Sequence, residues 1–146
     1  MKPRLEMHKA APEAYEAMRA LSKFSNECGL EARLLELVKT RASQINGCAY
    51  CIQMHTREAR KLGETEDRLH LLAAWRETPA YTPRERAALA WTEALTLLTK
   101  GHASDEVYAE VRAQFSEEET AKLTLAIAVI NSWNRIAMGL RFVTKP

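Results

Sequence analysis

The chain has 146 residues, which is the size of one ordinary domain with a single substantial core. Hydrophobic residues make up 47% and charged residues 27% of the chain, a composition that excludes intrinsic disorder. The 21 basic and 19 acidic side chains leave a net charge of +2, and no basic run alternates with aromatic residues. We therefore expect no nucleic-acid partner.

The sequence shows no targeting segment. Residues 1–6 lack the apolar core of a signal peptide, and the most apolar stretch, 123–130, is too short to span a bilayer. We expect a cytoplasmic protein with no membrane association. In that reducing compartment, a closely spaced pair among the three cysteines favours redox chemistry or metal binding over a structural disulfide framework.

Helix start and stop signals follow one another along the chain. Residues 82–85 and 116–119 each form a capping box, the first with Pro at the opening helical position, and Thr65 and Ser104 begin two further helices. Three glycines follow periodic segments and suit the left-handed residue past a helix end: Gly29, Gly63 and Gly101.

Apolar spacing between these signals is helical, and β-branched runs flanked by turn dipeptides are absent. The sequence predicts an all-α fold: a single compact domain over 1–146 with six or seven helices. Their approximate ranges are 11–27, 31–46, 48–62, 65–76, 83–100, 104–114 and 117–141.

Two cysteines and a histidine cluster just after the second predicted helix. Asn46 and Gly47 end that helix, which places Cys48 and Cys51 in the first turn of the next one. At about 100° per residue, Cys51 lies roughly 60° and His55 roughly 20° from Cys48 around the helix. The three side chains therefore share one face, and the two cysteines are close enough for a disulfide.

This arrangement suits thiol chemistry. The reactive form is the thiolate, and a helix N-terminus favours that anion over the thiol, whose usual pKa is about 8.5. His55 can accept the proton and later return it to a leaving group. A second thiol three residues away can resolve a sulfenic acid into a disulfide, which an external dithiol can reduce.

Two other interpretations of the cysteines remain open. They could be small hydrophobes in a helix interface, or they could bind zinc together with His55 and a fourth ligand, although the sequence has no second Cys/His cluster. A thioredoxin fold is disfavoured because its βαβ context is missing. A helical thiol oxidoreductase without a bound cofactor or metal is the favoured interpretation.

The segment 34–97 resembles the carboxymuconolactone decarboxylase superfamily, specifically its alkylhydroperoxidase D (AhpD)-like branch. The resemblance rests on the Cys-x-x-Cys-x-x-x-His motif with an upstream glutamate, on 81–94, and on 131–135 near the C-terminus. It implies a compact all-α fold, assembly into homo-oligomers (trimers or hexamers), and reduction of peroxides by a cysteine pair with a Glu–His proton relay.

The resemblance also implies a role for each residue of the motif. Cys51 matches the peroxidatic cysteine, Cys48 the resolving cysteine and His55 the relay histidine. Glu36, twelve positions before Cys48, matches the relay glutamate. The best-characterised members place a second histidine between the cysteines, where this chain has Tyr50, a poor base near neutral pH. A shorter relay is therefore expected here.

The resulting prediction is an enzyme: a thiol-dependent peroxidase of the alkyl hydroperoxide reductase type, with a hydroperoxide substrate and a dithiol or protein reductant. A carboxymuconolactone decarboxylase-type lyase and a non-enzymatic redox-sensing or zinc-binding module are the alternatives. No functional role is assigned to the remaining cysteine and histidines or to the tryptophans, which are expected in the core, at the surface or at a subunit interface: Cys28, His8, His70, His102, Trp75, Trp91 and Trp133.

Overall fold

The computed structural model describes residues 1–144, and every regular element in that range is helical. It contains nine α-helices and one 3₁₀ helix between α5 and α6. Their bounds are α1 Met7–Ala10, α2 Pro12–Asn26, α3 Ala32–Asn46, α4 Ala49–Lys61, α5 Glu66–Leu71, the 3₁₀ helix Leu72–Glu77, α6 Pro83–Thr96, α7 Leu98–Gly101, α8 Asp105–Gln114 and α9 Glu117–Leu140. The predicted all-α class is confirmed.

Helix α3 lies at the centre of the fold, where it packs against α4, α6 and α9. Leu35 and Val38 join an apolar cluster with residues of α6, α8 and α9. Leu37 points into a second cluster that includes Leu72 and Leu89. Because α3 is buried on several sides, its polar residues near α4 are also withdrawn from water.

The predicted helix starts are present as side-chain caps. Thr82 and Ser116 each accept a hydrogen bond from the backbone N–H three residues later, and both capping boxes are complete. Thr65 and Ser104 cap α5 and α8 in the same way. The sequence could predict these helix starts because a side-chain cap is formed within four consecutive residues.

The predicted number of six or seven helices is wrong, since the described part of the chain has nine α-helices. The short α1 was missed at the N-terminus. Ala11 separates it from α2 with φ −146° and ψ 69°, a non-helical conformation that the following Pro12 favours.

Tertiary contacts split two other predicted helices. The segment 65–76 leaves the α-helix after Leu71, and Arg86 compensates by donating hydrogen bonds to the backbone carbonyls of Trp75 and Thr78, both at 3.0 Å. The segment 83–100 breaks at Leu97, next to Thr96, whose hydroxyl accepts a hydrogen bond from an Asn131 side chain at 3.0 Å.

The glycine predictions are confirmed at two positions and wrong at the third. Gly29 and Gly63 have φ of 97° and 87° after helix ends. Gly101 is instead the last residue of α7, and the positive φ of 56° falls on His102.

Helix α9 is longer than the apolar stretch read from the sequence. By length and composition alone it could cross a membrane, with 24 residues and a mean hydropathy of 1.2 in its most apolar window. It packs against α2, α3, α4, α6 and α8, and Leu123, Ile127 and Asn134 are fully buried. These contacts bury one side of α9 against the rest of the protein, and 39% of that window is buried.

An amide network ties α9 to the end of α3. The Asn46 side chain donates hydrogen bonds to the side-chain oxygens of Asn131 at 2.9 Å and Asn134 at 2.8 Å. Asn134, which is fully buried, donates in turn to the hydroxyl of Ser43 at 3.0 Å. The network fixes the residue that precedes the turn into α4.

Replacing Asn134 by Ala is expected to lower the free energy of unfolding by about 2–3 kcal/mol, because the buried Ser43 hydroxyl and the half-buried Asn46 amide each lose a partner. Urea denaturation measures this change. Ser132→Ala is the matched control, because Ser132 is exposed on the same helix and bonds only its own helix carbonyl; its effect should stay within about 0.5 kcal/mol. Equal stability of the two variants would contradict the structural role of the network.

Candidate active site

A left-handed turn connects α3 to the cysteine-bearing helix. Gly47 has φ 74° and ψ 27°, and the N–H of Cys48 returns to the carbonyl of Ser43 at 3.0 Å. A side chain at position 47 would meet no atom within 4 Å, so glycine is favoured there by backbone conformation and not by space. The turn makes Cys48 the N-cap of α4, one residue before the helix and not inside its first turn as predicted.

The two cysteines form a disulfide across the first turn of α4, with their Cα atoms 5.3 Å apart. Each is only 2% exposed. The sulfur of Cys48 also accepts a hydrogen bond from the backbone N–H of Cys51 at 3.3 Å. Cys48 therefore takes the position in which a negative charge is best stabilised by the helix N-terminus.

Glu36 of α3 connects the cysteine helix to a buried lysine. Its Oε2 lies 2.8 Å from Nδ1 of His55, and its Oε1 accepts a hydrogen bond from Nζ of Lys39 at 2.7 Å. All three side chains are about 10% exposed. The lysine ammonium also donates to the Asn26 side chain at 2.6 Å, which links this cluster to the end of α2.

The environment of Glu36 keeps it ionised. Burial by itself would raise the pKa of this carboxyl, but the hydrogen bond and charge of His55, together with those of Lys39, outweigh burial and lower the pKa below 4.5. An ionised carboxylate only accepts hydrogen bonds, so Nδ1 of His55 carries the proton that it shares with Glu36. In neutral His55, Nε2 is then the basic nitrogen.

A cavity of about 200 Å³ lies beside the disulfide. Cys51 and His55 line it, whereas Cys48 does not. Most of the remaining lining is apolar and comes from α4, α9 and the segment after α9: Met54, Ala126, Val129, Ile130, Trp133 and Phe142. Of the two disulfide sulfurs, the Cys51 sulfur is the one a small organic molecule in this cavity would meet.

A second cavity, of about 430 Å³, lies on the Glu36 side of the same cluster and extends to Lys61 and Leu62 near the end of α4. Glu36 lines this cavity but not the first, and Cys51 lines the first but not the second. His55 lines both. The imidazole therefore separates the sulfur from the carboxylate and contacts the space next to each.

Tyr50 occupies the position between the cysteines. Its ring packs edge-on against Phe142, with ring centroids 5.4 Å apart, in an apolar cluster that includes both cysteines. The cavity beside Cys51 borders Tyr50 as well. In this surrounding the ring acts as an apolar wall, so His55 is the imidazole that lines the same cavity as Cys51, from a position four residues later on the same helix.

The structure thus brings together the four residues singled out in the sequence, Cys48, Cys51, His55 and Glu36. Sequence reasoning missed Lys39 and Asn26, because a lysine three residues after a glutamate on a helix is most often an exposed ion pair. It also missed Trp133 as a cavity wall. A helical periodicity gives the direction of these side chains on their own helix but not the neighbouring helix that they meet.

Metal binding finds no further support in the described residues. Within 1–144, no three His, Cys, Asp or Glu side chains gather in an arrangement that could hold a metal ion. In the disulfide form, the sulfurs of Cys48 and Cys51 are bonded to each other and offer no thiolate ligand. Cys28 is a free thiol buried in the apolar cluster of α3, α6 and α9.

Comparison with known proteins places this site in context. Residues 11–94 match the carboxymuconolactone decarboxylase family. The uncharacterised protein YdfG of Bacillus subtilis is 44% identical over 99% of this chain and its own full length. The crystal structure of ATU0492 from Agrobacterium tumefaciens has a TM-score of 0.97 at 46% identity, over 99% of both chains. That protein is described as having unknown function, with an assignment to antioxidant defence as AhpD.

A more distant structure shares the fold. An uncharacterised peroxidase-related protein from Silicibacter sp. TM1040 has a TM-score of 0.81 at 20% identity, over 92% of this chain and 71% of its own. At that identity the similarity shows a common fold alone.

Glu36→Gln is expected to lower the free energy of unfolding by about 3 kcal/mol at pH 7, because it leaves the Lys39 ammonium buried without its counter-charge. The lowered pKa of Glu36 means that its ionisation stabilises the fold above pH 4.5 and that this contribution is lost as the pH falls through the lowered value. The difference in free energy of unfolding between wild type and Glu36→Gln should therefore become smaller below pH 4.5. Chemical denaturation between pH 3 and pH 7 measures it.

Glu58→Gln provides the control for this experiment. Glu58 pairs only with Lys61 near the surface, with side chains 47% and 69% exposed, so its replacement should change stability by less than about 0.5 kcal/mol. A Glu36→Gln effect that stayed constant from pH 3 to pH 7 would show that packing and not ionisation is what the carboxyl contributes.

Proposed function

The chain belongs to the carboxymuconolactone decarboxylase family, and from that membership we propose that it is an AhpD-like thiol-dependent peroxidase that reduces hydroperoxides through the Cys48–Cys51 pair. One observation supports this function most directly. Cys51 is bonded to a second cysteine and shares an apolar cavity with His55, whose Nδ1 is hydrogen-bonded to a buried carboxylate. A nucleophile, a base and a group that orients the base are therefore adjacent.

The names of similar proteins point the same way. ATU0492, which covers nearly the whole chain at 46% identity, carries an antioxidant-defence assignment. The curated relative YdfG has no assigned activity, so the proposal for this chain depends mainly on the site itself.

In the first step, the Cys51 thiol passes its proton to Nε2 of His55 and becomes a thiolate. The thiolate attacks the terminal oxygen of the hydroperoxide; an S–O bond forms and the O–O bond breaks. The alkoxide that leaves takes the proton from His55 and departs as an alcohol. Cys51 is oxidised to a sulfenic acid while the hydroperoxide is reduced. Glu36 stabilises the imidazolium that exists between the two proton transfers.

In the second step, Cys48 resolves the sulfenic acid. Its sulfur attacks the Cys51 sulfur, an S–S bond forms, and hydroxide leaves and takes up the thiol proton of Cys48 as water. The position of Cys48 at the N-cap favours its thiolate, because the backbone N–H of Cys51 points at the sulfur. The product of this step is the disulfide present in the structure.

In the third step, an external dithiol regenerates the enzyme. One of its thiolates attacks the Cys51 sulfur, which lines the cavity, and Cys48 leaves as a thiolate stabilised at the helix N-terminus. The second thiol of the donor then displaces Cys51. The sum of the three steps is the conversion of one hydroperoxide and one dithiol into an alcohol, water and a disulfide, and no bound cofactor takes part.

The proposal also covers the cellular compartment, the domain organisation and the oligomeric state. A cycle that ends with reduction by a dithiol suits the cytoplasm, where thiols are kept reduced. We propose that residues 1–146 act as one domain and that this domain assembles into a trimer or hexamer. Exposed apolar side chains on α2, Leu21 and Phe24, are available to such an interface.

Single Cys→Ser variants test the proposed cycle. Cys51→Ser should lower steady-state turnover of cumene hydroperoxide by roughly 10²-fold or more, because the nucleophile is lost. Pre-reduced Cys48→Ser without added dithiol should consume one equivalent of peroxide and hold Cys51 as a sulfenic acid that dimedone traps. Cys28→Ser is the matched control and should keep wild-type turnover, since Cys28 is buried away from the pair.

Further measurements separate the alternatives. Wild-type protein should lose two thiols to peroxide and regain both with a dithiol. Conversion of carboxymuconolactone that persists in Cys51→Ser would indicate a lyase instead, and stoichiometric zinc with protected thiols would indicate a binding module. Full peroxide turnover by Cys51→Ser would rule out the assignment of the nucleophile.

A further inference from the structure

The cavity beside Cys51 has walls of different chemistry. Residues of α9 present mainly apolar side chains to it, including Val129 and Ile130. Polar side chains enter from α2 and α3, at Ser22, Ser25, Asn26 and Lys39. The cavity is therefore amphipathic, and apart from His55 its polar part lies on helices that carry neither cysteine.

The polar groups on α2 and α3 offer hydrogen-bond donors. Lys39 is a donor only, and two of its three N–H bonds are directed at Glu36 and Asn26. The side-chain oxygen of Asn26 accepts a hydrogen bond from that lysine, so the donors that Asn26 can offer to a ligand are its amide N–H groups. The Ser22 oxygen accepts a hydrogen bond from the indole of Trp133, which leaves its own O–H to donate.

Ser25 is the group that most clearly indicates a ligand. It is 2% exposed, it lines the cavity, and within residues 1–144 its hydroxyl has no hydrogen-bond partner. Its position in the last turn of α2 would allow a bond to its own helix, yet the hydroxyl makes none. A buried hydroxyl without a partner is unfavourable unless something in the cavity bonds it.

We propose that Ser25, together with Asn26 and Lys39, forms a subsite that binds a hydrogen-bond-accepting oxygen in the organic part of the substrate. The inference rests on the proposed peroxidase function and specifies its substrate class. The preferred hydroperoxides carry a carbonyl or carboxylate oxygen in addition to the peroxide group, with an apolar body against α9. The leaving peroxide oxygen takes its proton from His55, which leaves the α2 donors for a different oxygen.

The charge of Lys39 does not by itself select an anion. Glu36 already neutralises the ammonium at 2.7 Å, so the subsite requires an acceptor oxygen and not a net negative charge. A neutral ester and a carboxylate therefore share the chemistry that the subsite recognises, and the experiment includes both.

Binding to the oxidised, disulfide-containing protein tests the subsite without turnover. The probes are 4-(2-hydroxypropan-2-yl)benzoate, its methyl ester, and 2-phenylpropan-2-ol, which carries the same hydroxyl group but lacks the carbonyl or carboxylate acceptor. Isothermal titration calorimetry should show tighter binding of at least one acceptor-bearing probe than of 2-phenylpropan-2-ol. Ser25→Ala should weaken binding of that probe by about threefold to tenfold and leave 2-phenylpropan-2-ol unchanged, as expected for loss of one hydrogen bond.

Thr40→Val is the matched control. The Thr40 hydroxyl is the other buried side-chain group without a partner in 1–144, but Thr40 lines neither the cavity beside Cys51 nor the one beside Glu36. Its removal should leave the affinity for all three probes at the wild-type value. Neither variant removes a hydrogen bond within the protein, so both should remain folded, which far-UV circular dichroism verifies.

Three outcomes would overturn the subsite: wild type binding the acceptor-bearing probes no more tightly than 2-phenylpropan-2-ol, Ser25→Ala losing affinity equally for all three, or Ser25→Ala binding all three as wild type does. Failure of the peroxidase proposal is distinguishable. Wild type that binds the probes selectively but does not reduce their hydroperoxide counterparts would keep the subsite and exclude the peroxidase.

Discussion

The site depends on one buried carboxylate. Glu36 receives hydrogen bonds from Lys39 on its own helix and from His55 on α4, and these two partners lower a pKa that burial alone would raise. Removing Lys39 would leave the buried carboxylate without its counter-charge, and removing His55 would leave it without one of its hydrogen-bond donors. The carboxylate therefore helps to hold α4 against α3 and orients the imidazole, which in the proposed cycle acts as the base for Cys51.

Helix α3 serves both the core and the site. Leu35, Leu37 and Val38 pack into the two apolar clusters, while Glu36 and Lys39 point to α4 and the end of α2. A change in α3 that disturbs the core would thus displace the site as well. At the end of the same helix, the asparagine network from α9 and the left-handed Gly47 set where the cysteine helix begins. Packing contacts in several parts of the fold thus hold Glu36 and the cysteine helix in position.

The two cysteines are bonded to each other but have different surroundings. Cys48 lies at the helix cap, where the N–H of Cys51 meets its sulfur, and Cys51 lies one turn further on and faces the cavity. In the proposed cycle, the first position stabilises the thiolate of Cys48 as it leaves, and the second places the Cys51 sulfur next to the cavity through which it is attacked. The spacing of the two cysteines along the helix could not show which of them borders the cavity, because the cavity is formed mainly by side chains of other helices.

The sequence by itself determined the features that are made within a few consecutive residues. The helix starts at Thr82 and Ser116 and the shared face of the cysteines and His55 follow from local caps and helical periodicity. Glu36 came from the family resemblance, since nothing local separates it from an exposed glutamate. Only the tertiary structure decided the breaks before Leu72 and at Leu97, the burial of Lys39 and the donor-lined cavity wall. Each of these depends on which distant side chain packs against a helix, and the spacing of residues along one helix carries no information about its neighbour.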